Sequence, residues 1–243
     1  MSSGTDDDTL VVNHNSDTVT ENTSEGADTV MSETYWTLGS NVENLTLIGS
    51  LNLNGNGHSG NNVLTGNGGN DSLFGNAGDD TLHGGLSWDS LIGDTGNDTV
   101  NGSGGDDWIR GEDGNDTLNG DGGRDRIMGE AGNDRLVGGD VQDTLTGGTG
   151  DDIFEWNALS ELGDTVTDFE TGANADQLDL ITLLTAVGYG GSDALGDGHV
   201  RAQQNGGDTN VEIDTSGASD YVRVARLQSV IATELIADNW IFS

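Results

Sequence analysis

The sequence predicts an all-β protein in which short parallel strands stack in successive coils. Two observations predict this fold class. Nine-residue units follow one another in register from Gly57 to Glu155, and the eighth position of each unit is apolar. The 243-residue chain also contains 41 glycines and no proline or cysteine, so it is rich in turn-forming residues and has no disulfides. A fixed repeat of this length is typical of a stacked architecture.

Each unit divides into a turn and a very short strand. The first six positions are rich in Gly, Asn and Asp, which form turns and tolerate positive φ. The last three positions form a strand whose eighth side chain points inward, while the seventh and ninth point outward. Two units therefore make one coil, and successive coils stack as parallel strands about 4.8 Å apart. The predicted core residues are Leu64, Leu73, Leu82, Leu91, Val100, Ile109, Leu118, Ile127, Leu136, Leu145 and Phe154.

The charge of the chain limits its partners. It carries 43 acidic and 7 basic residues, for a formal net charge of -36, which argues against nucleic acid or an anionic membrane as a partner. Because only 32% of the residues are hydrophobic, such a chain stays unfolded unless its charge is neutralised. No apolar run approaches the roughly 18 residues of a membrane span, and no basic-then-apolar signal peptide opens the sequence.

The turns supply candidate metal ligands. Stacking brings carboxylates and backbone carbonyls of adjacent coils together, and such hard oxygen donors suit Ca²⁺ better than Mg²⁺. The sixth position is Asn62 in the first unit and an aspartate in all later ones. Those aspartates are Asp71, Asp80, Asp89, Asp98, Asp107, Asp116, Asp125, Asp134, Asp143 and Asp152.

The units "GNAGDDTLH", "GDTGNDTVN" and "GEAGNDRLV" resemble the RTX nonapeptide repeat, G-G-x-G-x-D-x-U-x with U aliphatic, which binds Ca²⁺. The resemblance covers residues 57–156 and implies a right-handed parallel β-roll, with an ion between consecutive turns on each edge. It implies that the sixth-position aspartates and the first- and third-position carbonyls are the ligands. These carbonyls belong to Gly66, Gly68, Gly75, Ala77, Gly93, Thr95, Gly102, Gly104, Gly111, Asp113, Gly120, Gly122, Gly129 and Ala131.

Alternate units lie on alternate edges of such a roll. The units that begin at 57, 75, 93, 111, 129 and 147 form the first edge and leave five gaps, and the others form the second edge and leave four. We therefore expect up to nine Ca²⁺ ions. Ser87 and Val141 replace the fourth-position glycine, and both lie on the second edge. We expect absent or distorted sites to concentrate there.

The repeat array divides the chain into three predicted parts. Residues 1–56 form a β-rich flanking segment, with strands in "NLTLIGSLNL", that caps the first coil. Residues 57–156 form the Ca²⁺-binding β-roll. Residues 157–243 form a capping domain with a strand, a short helix and a hairpin that turns at Ser216 and Gly217.

The C-terminal part resembles the terminal domains of type I secretion substrates, which carry an uncleaved export signal at the extreme C-terminus. This resemblance implies a secreted or cell-surface protein that contacts the secretion machinery through its C-terminus. We expect a monomeric, non-enzymatic RTX module that folds on binding Ca²⁺ after export and serves as the scaffold of a larger extracellular protein.

Two alternative functions stay open. Thr81, Thr99 and Thr117 occupy the seventh position on successive coils, and such a ladder is a feature of a glycan- or ice-binding module of an RTX adhesin. The chain is also compatible with the C-terminal part of a secreted hydrolase. The segment "GHSGN" is not a complete nucleophile elbow, because Asn61 stands where the motif requires its last glycine.

Four outward positions carry large apolar side chains, Phe74, Ile92, Trp108 and Met128. We expect them to form one column, because successive coils align equivalent positions. An exposed apolar column is unusual for so acidic a protein. We therefore expect one of the flanking segments to cover it.

Overall fold

The computed structural model describes residues 6–23, 25–172, 175–191, 194–217, 219–235 and 239–241. Within these ranges short turns join the strands of the repeat array, and longer segments separate the first two strands from each other and the α-helix from the strand after it. The elements are β1 (Thr9–Val12), β2 (Thr29–Ser32), β3 (Trp36–Thr37), β4 (Asn44–Leu47), β5 (Asn54–Asn56), β6 (Val63–Thr65), β7 (Ser72–Ala77), β8 (Thr81–Leu86), β9 (Ser90–Thr95), β10 (Thr99–Gly104), β11 (Trp108–Asp113), β12 (Thr117–Asn119), β13 (Arg126–Ala131), β14 (Arg135–Val137), β15 (Thr144–Thr149), β16 (Ile153–Glu155), β17 (Asp164–Val166), β18 (Gln177–Asp179), α1 (Ile181–Ala186), β19 (Val200–Asn205), β20 (Asp208–Asp214), β21 (Tyr221–Leu227) and β22 (Trp240–Ile241), with 3₁₀ turns at Leu159–Glu161 and Ala232–Glu234.

From β2 to β18 the strands alternate between two facing sheets, so each coil in this part contributes one strand to each sheet. Sheet I has the order β1-β2-β4-β6-β8-β10-β12-β14-β16-β18-β22, and sheet II has the order β19-β20-β21-β17-β15-β13-β11-β9-β7-β5-β3. Neighbouring strands are parallel throughout, except where β20 pairs with β19 and β21. The predicted all-β parallel β-roll is therefore confirmed.

The core is a stack of single apolar side chains from each sheet. Every predicted eighth-position residue is buried, with an exposed fraction of at most 1%. Burial of one such side chain stabilises the fold by about 1.5–3 kcal/mol. The interior is only two side chains deep, so the roll has little apolar surface to bury for its length.

The roll continues beyond the repeats at both ends. In sheet I, Val30 aligns with Leu45, and Leu45 aligns with Leu64 of the first repeat unit. At the other end Phe154 aligns with Leu178, and Leu178 aligns with Trp240. The flanking strands thus extend the same two sheets. The three-part division at residues 56 and 156 stays a prediction.

The predicted flanking elements are present. Strand β4 lies in "NLTLIGSLNL", α1 follows β18, and β20 and β21 form the antiparallel hairpin around Ser216 and Gly217. Residues 236–238 and 242–243, which belong to the predicted export signal, lie outside the described residues.

The prediction of one covered apolar column is wrong. Phe74 aligns with Ile92, but Arg110 follows in that column and separates Ile92 from Met128. Trp108 lies in the neighbouring column, because it occupies the seventh position of its unit and not the ninth. None of the four apolar side chains belongs to the buried core or to the described residues that pack on it, and Trp108 is 38% exposed.

Candidate metal centre

Two ladders of aspartates run along the edges of the roll. In each ladder the backbone N–H of one aspartate donates a hydrogen bond to Oδ1 of the aspartate one coil later. Asp98 N donates to Asp116 Oδ1 at 2.7 Å, and Asp116 N donates to Asp134 Oδ1 at 2.8 Å. The first ladder contains Asp80, Asp98, Asp116, Asp134 and Asp152, and the second contains Asp71, Asp89, Asp107, Asp125 and Asp143.

The second carboxylate oxygen of most ladder aspartates is buried and has no hydrogen-bond partner among the described residues. Burial of an ionised carboxylate without a partner costs several kcal/mol. A row of such groups is stable only if protons or cations neutralise them. The Oδ2 atoms concerned belong to Asp80, Asp89, Asp98, Asp107, Asp116, Asp125, Asp134, Asp143 and Asp152.

The first-position glycines leave the space that these oxygens face. A Cβ atom at Gly102 would lie 2.5 Å from Asp107 Oδ2 and 2.8 Å from the carbonyl oxygen of Gly120, one coil later. Glycine is required at this position because any side chain would displace both oxygens. A carboxylate oxygen and the first-position carbonyl of the next coil meet in the same way at Gly66, Gly75, Gly84, Gly93, Gly102, Gly111, Gly120 and Gly129.

The third-position carbonyls hold adjacent coils together. Thr95 O accepts a hydrogen bond from Gly78 N, and Asp113 O accepts one from Gly96 N, both at 2.9 Å. The carbonyls of Gly122 and Ala131 accept the equivalent bonds. A carbonyl oxygen keeps a second lone pair after one such bond, so these groups retain the capacity to coordinate a cation.

Burial strongly perturbs the titration of the ladders. Desolvation is the largest effect, and it outweighs the backbone N–H donors, which lower the pKa. It raises the pKa of Asp116, Asp125 and Asp152 to about 6 and that of Asp143 to about 8. The pKa is raised to about 7 in Asp80, Asp89, Asp107 and Asp134. Without cations, much of each ladder is therefore protonated near neutral pH.

Hydrogen bonds satisfy the free oxygen at the start of each ladder. Asn62 Oδ1 accepts a bond from His58 N at 2.7 Å, and Asp71 Oδ2 accepts one from Asn67 N at 2.8 Å. These two positions are therefore less suited to a cation than the aspartates that follow them.

Two aspartates that the repeat pattern did not identify end the ladders. Asp164 Oδ1 accepts a bond from Asp143 N, and its Oδ2 accepts one from the buried indole of Trp156 at 2.7 Å. Asp176 accepts bonds from Asp152 N and Glu170 N. Both carboxylates close a ladder with their oxygens in use. The spacings of 21 and 24 residues hid them from a search at period nine.

Two further residues extend the first ladder towards the N-terminus. Asp28 Oδ1 accepts a bond from Asp8 N, and Asp28 N donates to Glu43 Oε2. Asp28 is fully buried, and its Oδ2 has no hydrogen-bond partner among the described residues. The segment "GADTVM" was a sequence signal for this coil, because Gly26 and Asp28 have the spacing of the fourth and sixth repeat positions.

The two departures at the fourth position leave the carboxylate geometry unchanged. Ser87 and Val141 keep positive φ angles of 77° and 89°. Such a φ is strained for a β-branched residue. Asp89 and Asp143, in the same units, still present a buried Oδ2 without a partner. At Gly138 the three atoms nearest to an added Cβ all belong to Asp143, and at Gly147, in the last unit of the other edge, all three belong to Asp152. This difference from the earlier units therefore marks the end of each edge and is not specific to Val141. The expected concentration of poor sites on the second edge stays a prediction.

No three His, Asp or Glu side chains converge on a common point in the described ranges. A site in the roll thus depends on one carboxylate from each coil together with backbone carbonyls. In the same ranges, no helix has the length and apolar character needed to cross a membrane.

Three solved structures illustrate what the chain is similar to. The AlgE6R2 subunit of the Azotobacter vinelandii mannuronan C5-epimerase is 27% identical over 56% of this chain and 88% of that one, with a TM-score of 0.42. The AlgE6R3 subunit of that enzyme is 26% identical over 65% and 79%, with a TM-score of 0.41. Extracellular lipase LipA from Serratia marcescens is 17% identical over 91% and 45%, with a TM-score of 0.42. No curated protein sequence matches the chain significantly.

The family comparison matches the central part of the chain. The family model for the RTX calcium-binding nonapeptide repeat matches four times, at residues 56–91, 83–118, 92–127 and 128–155. The matched region coincides with the aspartate ladders and the glycine-lined spaces between coils. Residues 56–155 are therefore an array of RTX calcium-binding nonapeptide repeats folded as a parallel β-roll.

Proposed function

We propose that this chain is a Ca²⁺-triggered folding module of a larger exported protein. The observation that carries the proposal is that nine buried Oδ2 atoms in the two ladders have no hydrogen-bond partner in the part of the chain that the structure describes. In a chain of net charge -36, these carboxylates oppose folding until cations neutralise them.

The ladder aspartates are the proposed carboxylate ligands, and the first-position carbonyls complete the sites. Asp98 and Gly111, for example, would supply one oxygen each to the gap beside Gly93. The third-position carbonyls, such as that of Thr95, are further proposed ligands. Ca²⁺ accepts six to eight oxygen ligands in flexible geometry, which this donor set suits. Bound Ca²⁺ would supply positive charge between coils and so remove the repulsion within each ladder.

The concentration of Ca²⁺ determines when the module folds. Extracellular sites bind with a Kd on the order of 10⁻⁴ to 10⁻³ M. At a ten- to hundredfold excess of ligand, each site stabilises the fold by about 1.4–2.7 kcal/mol. Inside a cell, where Ca²⁺ is scarce, the same sites contribute almost nothing. The chain would therefore be unfolded for transport and would fold outside the cell.

Export by a type I system and a scaffold role follow from this behaviour. An unfolded acidic chain can be threaded through a transporter, and folding on the outer side prevents its return. We propose that the C-terminal part contacts the transporter and that the mature module is monomeric and non-enzymatic, with any catalytic activity in another part of the parent protein.

Circular dichroism tests the folding switch. In EGTA the full chain should give a coil spectrum, and in millimolar Ca²⁺ it should give a β spectrum. Mg²⁺ at the same concentration should be much less effective, because it prefers a tight octahedral shell and retains water. A β spectrum in EGTA that Ca²⁺ leaves unchanged would contradict the proposal.

A further inference from the structure

Two buried carboxylate oxygens lie near the N-terminal end of the roll, outside the matched repeats. Asp28 is fully buried, and Glu21 has an exposed fraction of only 7%. Asp28 Oδ2 and Glu21 Oε2 have no hydrogen-bond partner in the part of the chain that the structure describes. Both residues precede residue 56, where the matched repeats begin. The repeat pattern therefore does not account for these two oxygens.

The hydrogen bonds of the two side chains use their other oxygens. Asp28 Oδ1 accepts a bond from Asp8 N at 2.8 Å, and Glu21 Oε1 accepts one from Asn22 N at 3.2 Å. Glu25, in the same segment, is only partly buried, and its Oε2 accepts a bond from Asn22 Nδ2 at 2.8 Å. Asp28 Oδ2 and Glu21 Oε2 are thus the oxygens of this segment that are left for another ligand.

The carboxyl groups of this segment are close enough to interact. The pKa of Glu21 is raised above its ordinary value, chiefly by its side-chain hydrogen bond with Glu25, then by burial, and also by the charge of Asp28. From the next coil, Glu43 Oε2 accepts a bond from Asp28 N at 2.9 Å. Buried carboxylates that lie together in this way oppose folding unless their charge is neutralised.

The chain supplies no cationic side chain to neutralise them. The sequence contains no lysine or arginine before Arg110. Among the described residues, no ion pair involves any residue that precedes Arg110. The compensating charge must therefore come from solution, as protons or as a metal cation.

We propose that Asp28 and Glu21 bind a Ca²⁺ ion in the N-terminal coils, in addition to the ions of the repeats. Ca²⁺ accepts Asp and Glu carboxylates together with backbone carbonyls and water in a flexible shell. Mg²⁺ requires a near-ideal octahedron and keeps several waters, for which the fully buried Asp28 leaves little room. Unlike a repeat site, this site takes two carboxylates from one turn, and its ligands do not follow the nine-residue spacing.

This site is separate from the cation sites of the array. Asp28 directly precedes β2 and Asp80 directly precedes β8, and the strand order β2-β4-β6-β8 places three strand spacings, about 14 Å, between them. Asn62 lies between the two along this edge, and its Oδ1 already accepts a bond from His58 N. Binding at Asp28 would therefore stabilise the N-terminal coils without a continuous row of ions.

The Ca²⁺ content of the full chain tests the proposal. The protein is dialysed to equilibrium in millimolar Ca²⁺, and bound metal is counted by mass spectrometry with plasma ionisation. Glu21→Gln and Asp28→Asn should each bind one ion fewer per chain than the wild type, because both substitutions remove the charge and keep the oxygen that accepts the existing hydrogen bond. Glu33→Gln is the matched control, since Glu33 is exposed in the same part of the chain, and it should bind as many ions as the wild type.

Three results would overturn the proposal. An unchanged ion count in both Glu21→Gln and Asp28→Asn would show that protons neutralise these carboxylates. An equal loss in Glu33→Gln would show a general effect of charge. A loss of several ions at once, with a weaker β signal by circular dichroism in Ca²⁺, would show that the site is not separate from the array. The ion count in Ca²⁺ does not depend on whether the chain is unfolded in EGTA, so failure of this site and failure of the folding switch are distinguishable.

Discussion

The residue that determines the character of the roll is the sixth-position aspartate. One oxygen holds the preceding coil through a backbone N–H, and the other faces the space left by a first-position glycine. The same side chain therefore accepts a hydrogen bond that joins two coils and carries a buried negative charge that must be neutralised. An asparagine at this position keeps the first role and loses the second.

Asp116→Asn should raise the Ca²⁺ midpoint of folding more than Asp143→Asn does. Asp116 lies between two gaps, and the carbonyl of Gly129 is among the three atoms nearest to an added Cβ at Gly111, whereas at Gly138 all three nearest atoms belong to Asp143. If Asp116 serves two sites, its loss costs about 3–5 kcal/mol in about 10 mM Ca²⁺, and the loss of Asp143 costs about half as much. A Ca²⁺ titration followed by circular dichroism measures both midpoints. Equal shifts would show that the two positions are equivalent.

At the scale of the elements, the last coils close the second ladder with a hydrogen bond in place of a cation. The indole of Trp156 is 1% exposed and donates to Asp164 Oδ2. This bond satisfies a carboxylate that desolvation would otherwise penalise, since burial raises the pKa of Asp164 to about 7.

Trp156→Phe should therefore destabilise the Ca²⁺-loaded protein by about 1–3 kcal/mol, the cost of a buried acceptor that loses its donor. Thermal unfolding in Ca²⁺ measures the effect. Trp88→Phe is the control, because Trp88 is 45% exposed and should change the stability little. The prediction fails if the two substitutions have the same effect.

The repeat coils could be predicted closely from the sequence, because the eighth position of each unit identifies a core residue and the sixth position identifies a ladder aspartate. It did not predict that the roll extends to Asp28 and Glu43. The ladder bonds there span 20 and 15 residues, since turns of different length separate the coils. The alignment of ladder residues in successive coils depends on strand pairing, and strand pairing tolerates turns of different length. A search for a fixed sequence period does not tolerate them. The prediction of one apolar column was wrong for a related reason. It combined residues from the seventh and the ninth repeat positions, which lie in neighbouring columns of the sheet.

At the scale of the whole molecule, the roll without Ca²⁺ should become more stable as the pH falls from 8 to 5. Eight of the ten ladder aspartates have folded-state pKa values of about 6 to 8, above their ordinary value near 4, and burial also raises the pKa of Asp71 and Asp98. The folded state therefore binds more protons than the unfolded state. This contribution to stability is complete below about pH 4 and is lost as the pH rises through 6 to 8.

Circular dichroism in EGTA at pH 5 and pH 8 measures this dependence, because the chelated chain should show more β signal at pH 5 than at pH 8. In millimolar Ca²⁺ the trend should reverse, because Ca²⁺ requires the deprotonated carboxylate and competes with protons. A chelated protein that is more stable at pH 8 than at pH 5 would contradict the assignment of the ladders as the dominant buried charges.

The alternation of strands between the two sheets restricts which deletions and insertions the repeat array can accept. Each ladder bond within the array joins residues 18 positions apart, and neighbouring coils contact only one another. Removal of 18 residues from the middle of the array would bring together two coils that already fit. Removal of nine would transfer every later strand to the opposite sheet and place the Asp164 and Asp176 caps on the wrong edges. The length of such a protein can therefore change in whole coils but not in single repeats.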